Sequence, residues 1–228
     1  MPDIMNLISE AEYIKTSGRW SALNEKIKKL PPISDDEFGW LTRVFSGLTY
    51  RVFYEYLGMQ EAHKRADDEL AIVAWHARNL LELAVWSLYC TKSEDNTRRF
   101  YEDAGRDYND LLLKLKKWGG KTNQGNEWQQ MFTDSLQDLS KAAAQQGISD
   151  LNSKYLQVSE VAKDLGMKDD FETTNKMLSK YAHPTAGYVV RPFDGEDVKK
   201  LKTAFLIQGC VNFLGAFNAL EQHFKNNR

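Results

Sequence analysis

Arg78 and Glu82 stand four residues apart in "LAIVAWHARNLLELAVWSLYC", residues 70–90, and His183 comes late in "LSKYAHPTAGY", residues 178–188. On a helix, positions four apart are neighbours on one face. A guanidinium there can grip an anionic group while the carboxylate orients that group or a histidine. An imidazole brought to the same place could act as general acid or base. Tyr181, two residues before His183, adds a hydroxyl, and Asn79 beside Arg78 adds an amide. The same residues have a plainer reading. Arg78 and Glu82 can pair to fix the register of a helical bundle, and His183 can cap a helix beside Lys180. Spacing alone leaves both open.

The helix that must carry the pair is apolar on every side when its residues are placed about 100° apart, the mark of an enclosed central helix. Only His76, Arg78 and Glu82 interrupt it with readily ionisable groups. Charges in such surroundings need partners, because an unpaired buried charge costs several kcal/mol. Gln208 and Asn212, four apart on the mostly apolar stretch "TAFLIQGCVNFLGAFNAL" (residues 203–220), are candidates to supply them. That stretch has no charged residue and nears the length that spans a bilayer. Its amides make a core helix the better expectation.

Helical periodicity runs the length of the chain and predicts an all-α multi-helix bundle of seven to nine helices. Segments are expected at 2–16, 18–30, 35–57, 61–92, 94–118, 126–146, 149–165, 168–182 and 195–226. Ser34 and Asp194 are candidate N-caps. Proline at 184 disfavours the α conformation at His183, so the preceding helix should end near Tyr181. Only "TAGYVVRPFDGED" offers a short extended run. Residues 1–30 read as a helix pair packing on a main bundle at 35–228. The aromatic segment 35–57, with Phe38, Trp40, Phe45, Tyr50, Phe53, Tyr54 and Tyr56, reads as core or as a homodimer surface.

Thirty basic against thirty-two acidic residues give a net charge of -2, so any RNA contact must be local rather than a basic field. Lys116, Lys117, Trp118 and Lys121 form the one basic patch with an aromatic. Lysines complementing a helix end explain the same residues more cheaply. No HExxH, Walker loop, GxGxxG, CxxC or inward Glu-x-x-His pair occurs, so no metal or cofactor is expected. Cys90 and Cys210 read as reduced core thiols, and the acidic N-terminus lacks a signal pattern, which together predict a cytoplasmic, non-membrane protein.

The Arg-x-x-x-Glu helix "ARNLLELAV" followed by Ser179-x-Tyr181-x-His183-Pro184 resembles an uncharacterised bacterial all-helical family, a domain of unknown function similar in style to the HEPN-like proteins. The resemblance rests on about twenty residues and spans 65–220 in helix order. It implies either a non-catalytic interaction or ligand-binding module in defence or stress response, or a metal-independent ribonuclease using Arg78 and His183. HEPN ribonucleases carry Arg and, four to six residues later, His on one helix. This chain has no such histidine after Arg78, so His183 would have to supply it from another helix.

Overall fold

The computed structural model describes residues 4–30, 39–65, 70–121, 125–183, 185 and 195–226. Among them are nine α-helices and no strand. In chain order these are α1 (Ile4–Thr16), α2 (Arg19–Ile27), α3 (Trp40–Lys64), α4 (Leu70–Lys92), α5 (Glu94–Gly119), α6 (Gly125–Gln145), α7 (Val158–Asp164), α8 (Lys168–Ala182) and α9 (Gly195–Asn226). The expected all-α bundle is what the chain forms. Ser34, Asp194 and residues 186–194 of the expected extended run lie outside the described residues, and the end of that run, Gly195 to Asp197, opens α9.

Most breaks follow local chemistry. Gly18 and Gly166 adopt φ of 75°, the left-handed conformation that ends one helix and lets the next set off in a new direction. His183 caps α8 in an extended conformation (φ -120°, ψ 149°), as a residue before proline should.

Two expectations are corrected. The predicted break between 57 and 61 does not exist, because α3 runs unbroken to Lys64. Gly58 is a mid-helix position whose missing side chain leaves room for the ring of His76. The predicted helix at 149–165 begins only at Val158. Upstream, Asp150 Oδ1 accepts from the backbone amides of Asn152 (2.9 Å) and Ser153 (3.2 Å), a side-chain-to-backbone turn that competes with helix.

The chain forms two compact units, residues 1–96 with 158–228, and residues 97–157. In the first, α9 and α4 form the central pair, with α3 and α8 packed against α4. Its core includes Phe205, Phe213 and Phe217 from α9, Val73 and Leu80 from α4, Tyr56 and Met59 from α3, and Leu178 from α8, all fully buried. Tyr56 stacks on Phe213 at 4.1 Å between centroids. Helix α9 is long and apolar enough to cross a membrane by length and composition. Here its apolar side chains build the centre of this unit. Gly209 lets α3 approach α9, since a Cβ there would collide with the Met59 sulfur. The aromatic set of α3 divides: Trp40, Phe45 and Tyr56 are buried, Phe53 stacks on Trp20 at 4.3 Å, and Tyr50 and Tyr54 are exposed. Cys90 and Cys210 are buried, unbridged thiols.

Helix α2 is tied to α9 by a two-pronged bond from Arg19, whose Nε and Nη2 reach the Glu221 carboxylate at 3.0 and 2.8 Å. Those bonds, with help from Lys225, hold the Glu221 pKa down to about 2 from an ordinary 4.5. A depressed carboxylate stabilises the fold fully above about pH 4.5 and loses that contribution as pH falls through about 2. Glu221→Gln should remove about 2 kcal/mol at neutral pH and flatten the acid limb of a stability–pH profile. A variant with the wild-type acid limb would place the acid sensitivity elsewhere.

In the second unit α5 carries a dense ion network. Arg106 donates to Asp103 Oδ1 (2.7 Å), Glu102 Oε2 (2.8 Å) and the Asp150 carbonyl (3.0 Å). Asp103 also accepts from the Leu156 amide at 2.9 Å. The segment after α6 is thereby fastened along α5.

Candidate functional site

Helix α4 presents two polar faces, each met by a different neighbour. Toward α8, Arg78 Nη2 donates to Glu82 Oε1 at 2.8 Å and Nε donates to Asn175 Oδ1 at 3.0 Å. Ser179 Oγ reaches the same Asn175 oxygen at 3.4 Å. The pair is not sealed: the Arg78 and Glu82 side chains keep 25% and 29% exposure. His183 is exposed at the end of α8 and meets α4 one turn earlier, where Trp75 and the imidazole pack edge to face at 6.0 Å and 88°. Trp75 facing His183 while Arg78 faces Asn175 means that α4 and α8 run antiparallel here. Among the described residues, His183 makes no hydrogen bond to Arg78 or Glu82. The structure therefore joins Arg78 and Glu82, adds Asn175 and Ser179, and sets His183 to one side.

The other sequence candidates are dispersed. Asn79 faces away from Arg78, toward α3. Tyr181 packs on Phe205 at 5.2 Å. Gln208 Nε2 reaches Asn212 Oδ1 at 3.5 Å, so these amides contact each other rather than the charged pair, and Asn212 Nδ2 is buried with no hydrogen-bond partner among the described residues. Lys116 and Lys117 occupy the last turn of α5 in the second unit, where lysines complement the helix end. Lys121 follows in a turn, its amide donating to the Trp118 carbonyl at 3.0 Å. Trp118 is exposed and packs edge to face with Trp128 at 5.8 Å.

The second face of α4 carries His76 and Asn79, both visible in the sequence, and joins them to Glu55 of α3, which the sequence does not mark. His76 Nδ1 lies 2.7 Å from Glu55 Oε2, and Asn79 Nδ2 donates to that same oxygen at 3.1 Å. A carboxylate only accepts, so Nδ1 carries the proton and, in the neutral ring, Nε2 is left as an acceptor. Both side chains are largely covered, with 16% exposure for His76 and 11% for Glu55. The ring lies over Gly58, where a Cβ would fall 2.5 Å from Cε1 and 2.7 Å from Nε2. It forms one wall of an open cleft of about 460 Å³, shared with Lys15, Tyr54, Leu57, Gly58, Gln60, Glu61 and Lys64. Behind the cleft, Gln60 Nε2 donates to Glu12 Oε2 at 2.8 Å and Lys15 pairs with Glu12 at 2.9 Å. The Gln60 bond, then Lys15, holds the Glu12 carboxyl below its usual range, while burial pushes the Tyr56 phenol up. The sequence signal for this site was a glutamate between the buried positions Val52 and Tyr56, facing a histidine on an apolar helix.

No group of three or more metal-ligating side chains gathers among the described residues. The model of a family of unknown function, DUF5677, matches residues 71–197, more than half of the chain. The chain belongs to this family. The DUF5677 match opens at Ala71 in α4 and closes at Asp197 in α9, so it takes in His76, Arg78, Glu82 and His183 and leaves Glu55 outside. No curated protein and no solved structure matches the chain.

Proposed function

We propose that this protein is a non-catalytic, HEPN-like helical module that binds a partner protein or ligand, working in bacterial defence or stress response. The observation that carries this reading is the set of bonds Arg78 makes within the protein. Its Nε and Nη2 donate to Asn175 and Glu82, and the His183 ring packs edge to face on Trp75 of α4, with no hydrogen bond to the charged pair among the described residues. A guanidinium bonded to Glu82 on its own helix and to Asn175 on α8 serves as a joint between α4 and α8. A ribonuclease would need Arg78 directed at a scissile phosphate with an imidazole beside it. The HEPN-like and defence assignments rest on the resemblance of the Arg-x-x-x-Glu helix and the late Ser-x-Tyr-x-His turn.

The test pairs stability with activity. Arg78→Ala should lower stability by about 1–3 kcal/mol, because it strands Glu82 and Asn175 at a partly covered contact. His183→Ala should leave the melting temperature near wild type, and neither wild type nor variant should cleave single-stranded RNA. Cleavage by the wild type that disappears in His183→Ala, with folding intact, would instead make this a metal-independent ribonuclease.

A further inference from the structure

We propose that helix α5 pairs antiparallel with α5 of a second copy of this chain, along a seam formed by Ala104, Tyr108, Leu111, Leu115 and Trp118. The surface belongs to the unit formed by residues 97–157, so its fate is independent of the Arg78 joint in the other unit.

Spacing and exposure together mark the seam. Its residues follow one another at intervals of four, three, four and three. That is the 3.5-residue repeat with which one helix meets another in a coiled coil. In an ordinary amphipathic helix such a strip faces the chain's own core. Here it faces outward: Tyr108, Leu111 and Trp118 keep 50%, 48% and 55% exposure, and Ala104 is exposed with them. The chain's own bonds lie on the opposite side of α5, where Arg106 donates to the Asp150 carbonyl at 3.0 Å and Asn109 to the Leu151 carbonyl at 3.1 Å. The strip is left over once the unit has folded. At its far end Trp128 of α6 packs edge to face on Trp118 at 5.8 Å and widens it.

The charges beside the seam select a second copy as the occupant and set its direction. Asp107, Lys114 and Lys121 recur every seven residues along one flank. In an antiparallel pair about a two-fold axis, Tyr108 packs beside the second copy's Trp118 and Leu111 beside its Leu115. That register brings each Asp107 to the second copy's Lys121, giving two pairs of opposite charge. Lys114 meets its own symmetry mate at the axis, where Asp110 already answers it at 2.6 Å. A parallel pair would instead set Asp107 and Lys114 against Leu112 and Gly119, which carry no charge. From Tyr108 to Trp118 the seam is about 15 Å long. So short a contact belongs with weak, concentration-dependent dimers.

Sedimentation equilibrium of the full chain, from about 1 to 300 µM, reads the association. Wild type should pass from monomer to dimer across that range. Leu111→Lys should weaken the dimer by about tenfold or more. Leu113→Lys, at a residue 45% exposed but on the opposite side of α5, should not. Asp107→Lys and Lys121→Asp should each stay monomeric, because each sets like charges together. An equimolar mixture of these two variants should dimerise, because opposite charges then meet at both ends of the seam. All four substitutions are at exposed positions and should leave the melting temperature of the monomer near wild type. The proposal is overturned if wild type stays monomeric at the highest concentration, which would leave the seam to a helix of another protein. It is also overturned if Leu113→Lys dissociates the dimer as Leu111→Lys does, or if the mixed charge variants stay monomeric.

Discussion

Arg106→Ala is expected to destabilise the unit formed by residues 97–157 by about 3–5 kcal/mol. Arg106 is the hub of that unit: its guanidinium spans Asp103, Glu102 and the Asp150 carbonyl, and both it and Asp103 are buried. Removing the cation leaves the Asp103 carboxylate covered, with only Arg99 and the Leu156 amide to answer it. It also releases the Asp150 turn from α5. Hydrogen exchange should speed up first in peptides covering 148–157 and then along α5. Lys114→Ala, which removes an exposed pair with Asp110, is the control and should leave exchange unchanged. Wild-type protection in Arg106→Ala would mean that Arg99 and the Leu156 amide suffice, and that the hub lies elsewhere.

The second large effect belongs to the first unit. Phe213→Ala should cost about 3–5 kcal/mol in chemical denaturation, the usual range for emptying a buried aromatic site. Phe213 is fully buried between Tyr56 and Phe217, at 4.1 and 6.1 Å between centroids. The loss reaches further than packing. The Tyr56 hydroxyl bonds Gln60, and Gln60 lines the His76 cleft, so a tilted Tyr56 disturbs that wall. Phe213→Leu keeps much of the volume and should cost less. Equal costs for the two substitutions would show that the stacked geometry, rather than volume, sets the stability here.

The fold was legible because its signals are local. Apolar periodicity marked the helices, Gly18 marked the first break, and Pro184 placed the end of α8. The errors came where a residue answers to something distant or to a competing turn. Gly58 looks like a helix stop in one dimension, but its reason is a ring from the next helix. Asp150 withholds a helix that periodicity alone would continue, by offering its own carboxylate to the backbone. The site was legible in part. The Arg78–Glu82 bond follows from spacing four on a helix, whereas Asn175 as the third member could not, since no periodicity relates α8 to α4. The Gln208 and Asn212 amides had the right chemistry for partners, but they lie on α9 and contact each other. His76 was visible as an ionisable interruption of an apolar helix. Its importance depends on Glu55, whose own helix reads as ordinary amphipathic sequence until α3 and α4 are brought together.

The two thiols give the first unit a built-in clock. Burial pushes both Cys90 and Cys210 up to about 12, so at neutral pH neither supplies appreciable thiolate to an alkylating reagent. Their labelling must wait for the surrounding helices to part. Cys90 lies in the last turn of α4 and Cys210 sits midway along α9, so the modification rate at each reads the opening frequency of a different stretch of the central pair. Equal rates would mean that α4 and α9 separate as one cooperative event. A faster Cys90 would mean that the end of α4 frays while the middle of α9 stays closed.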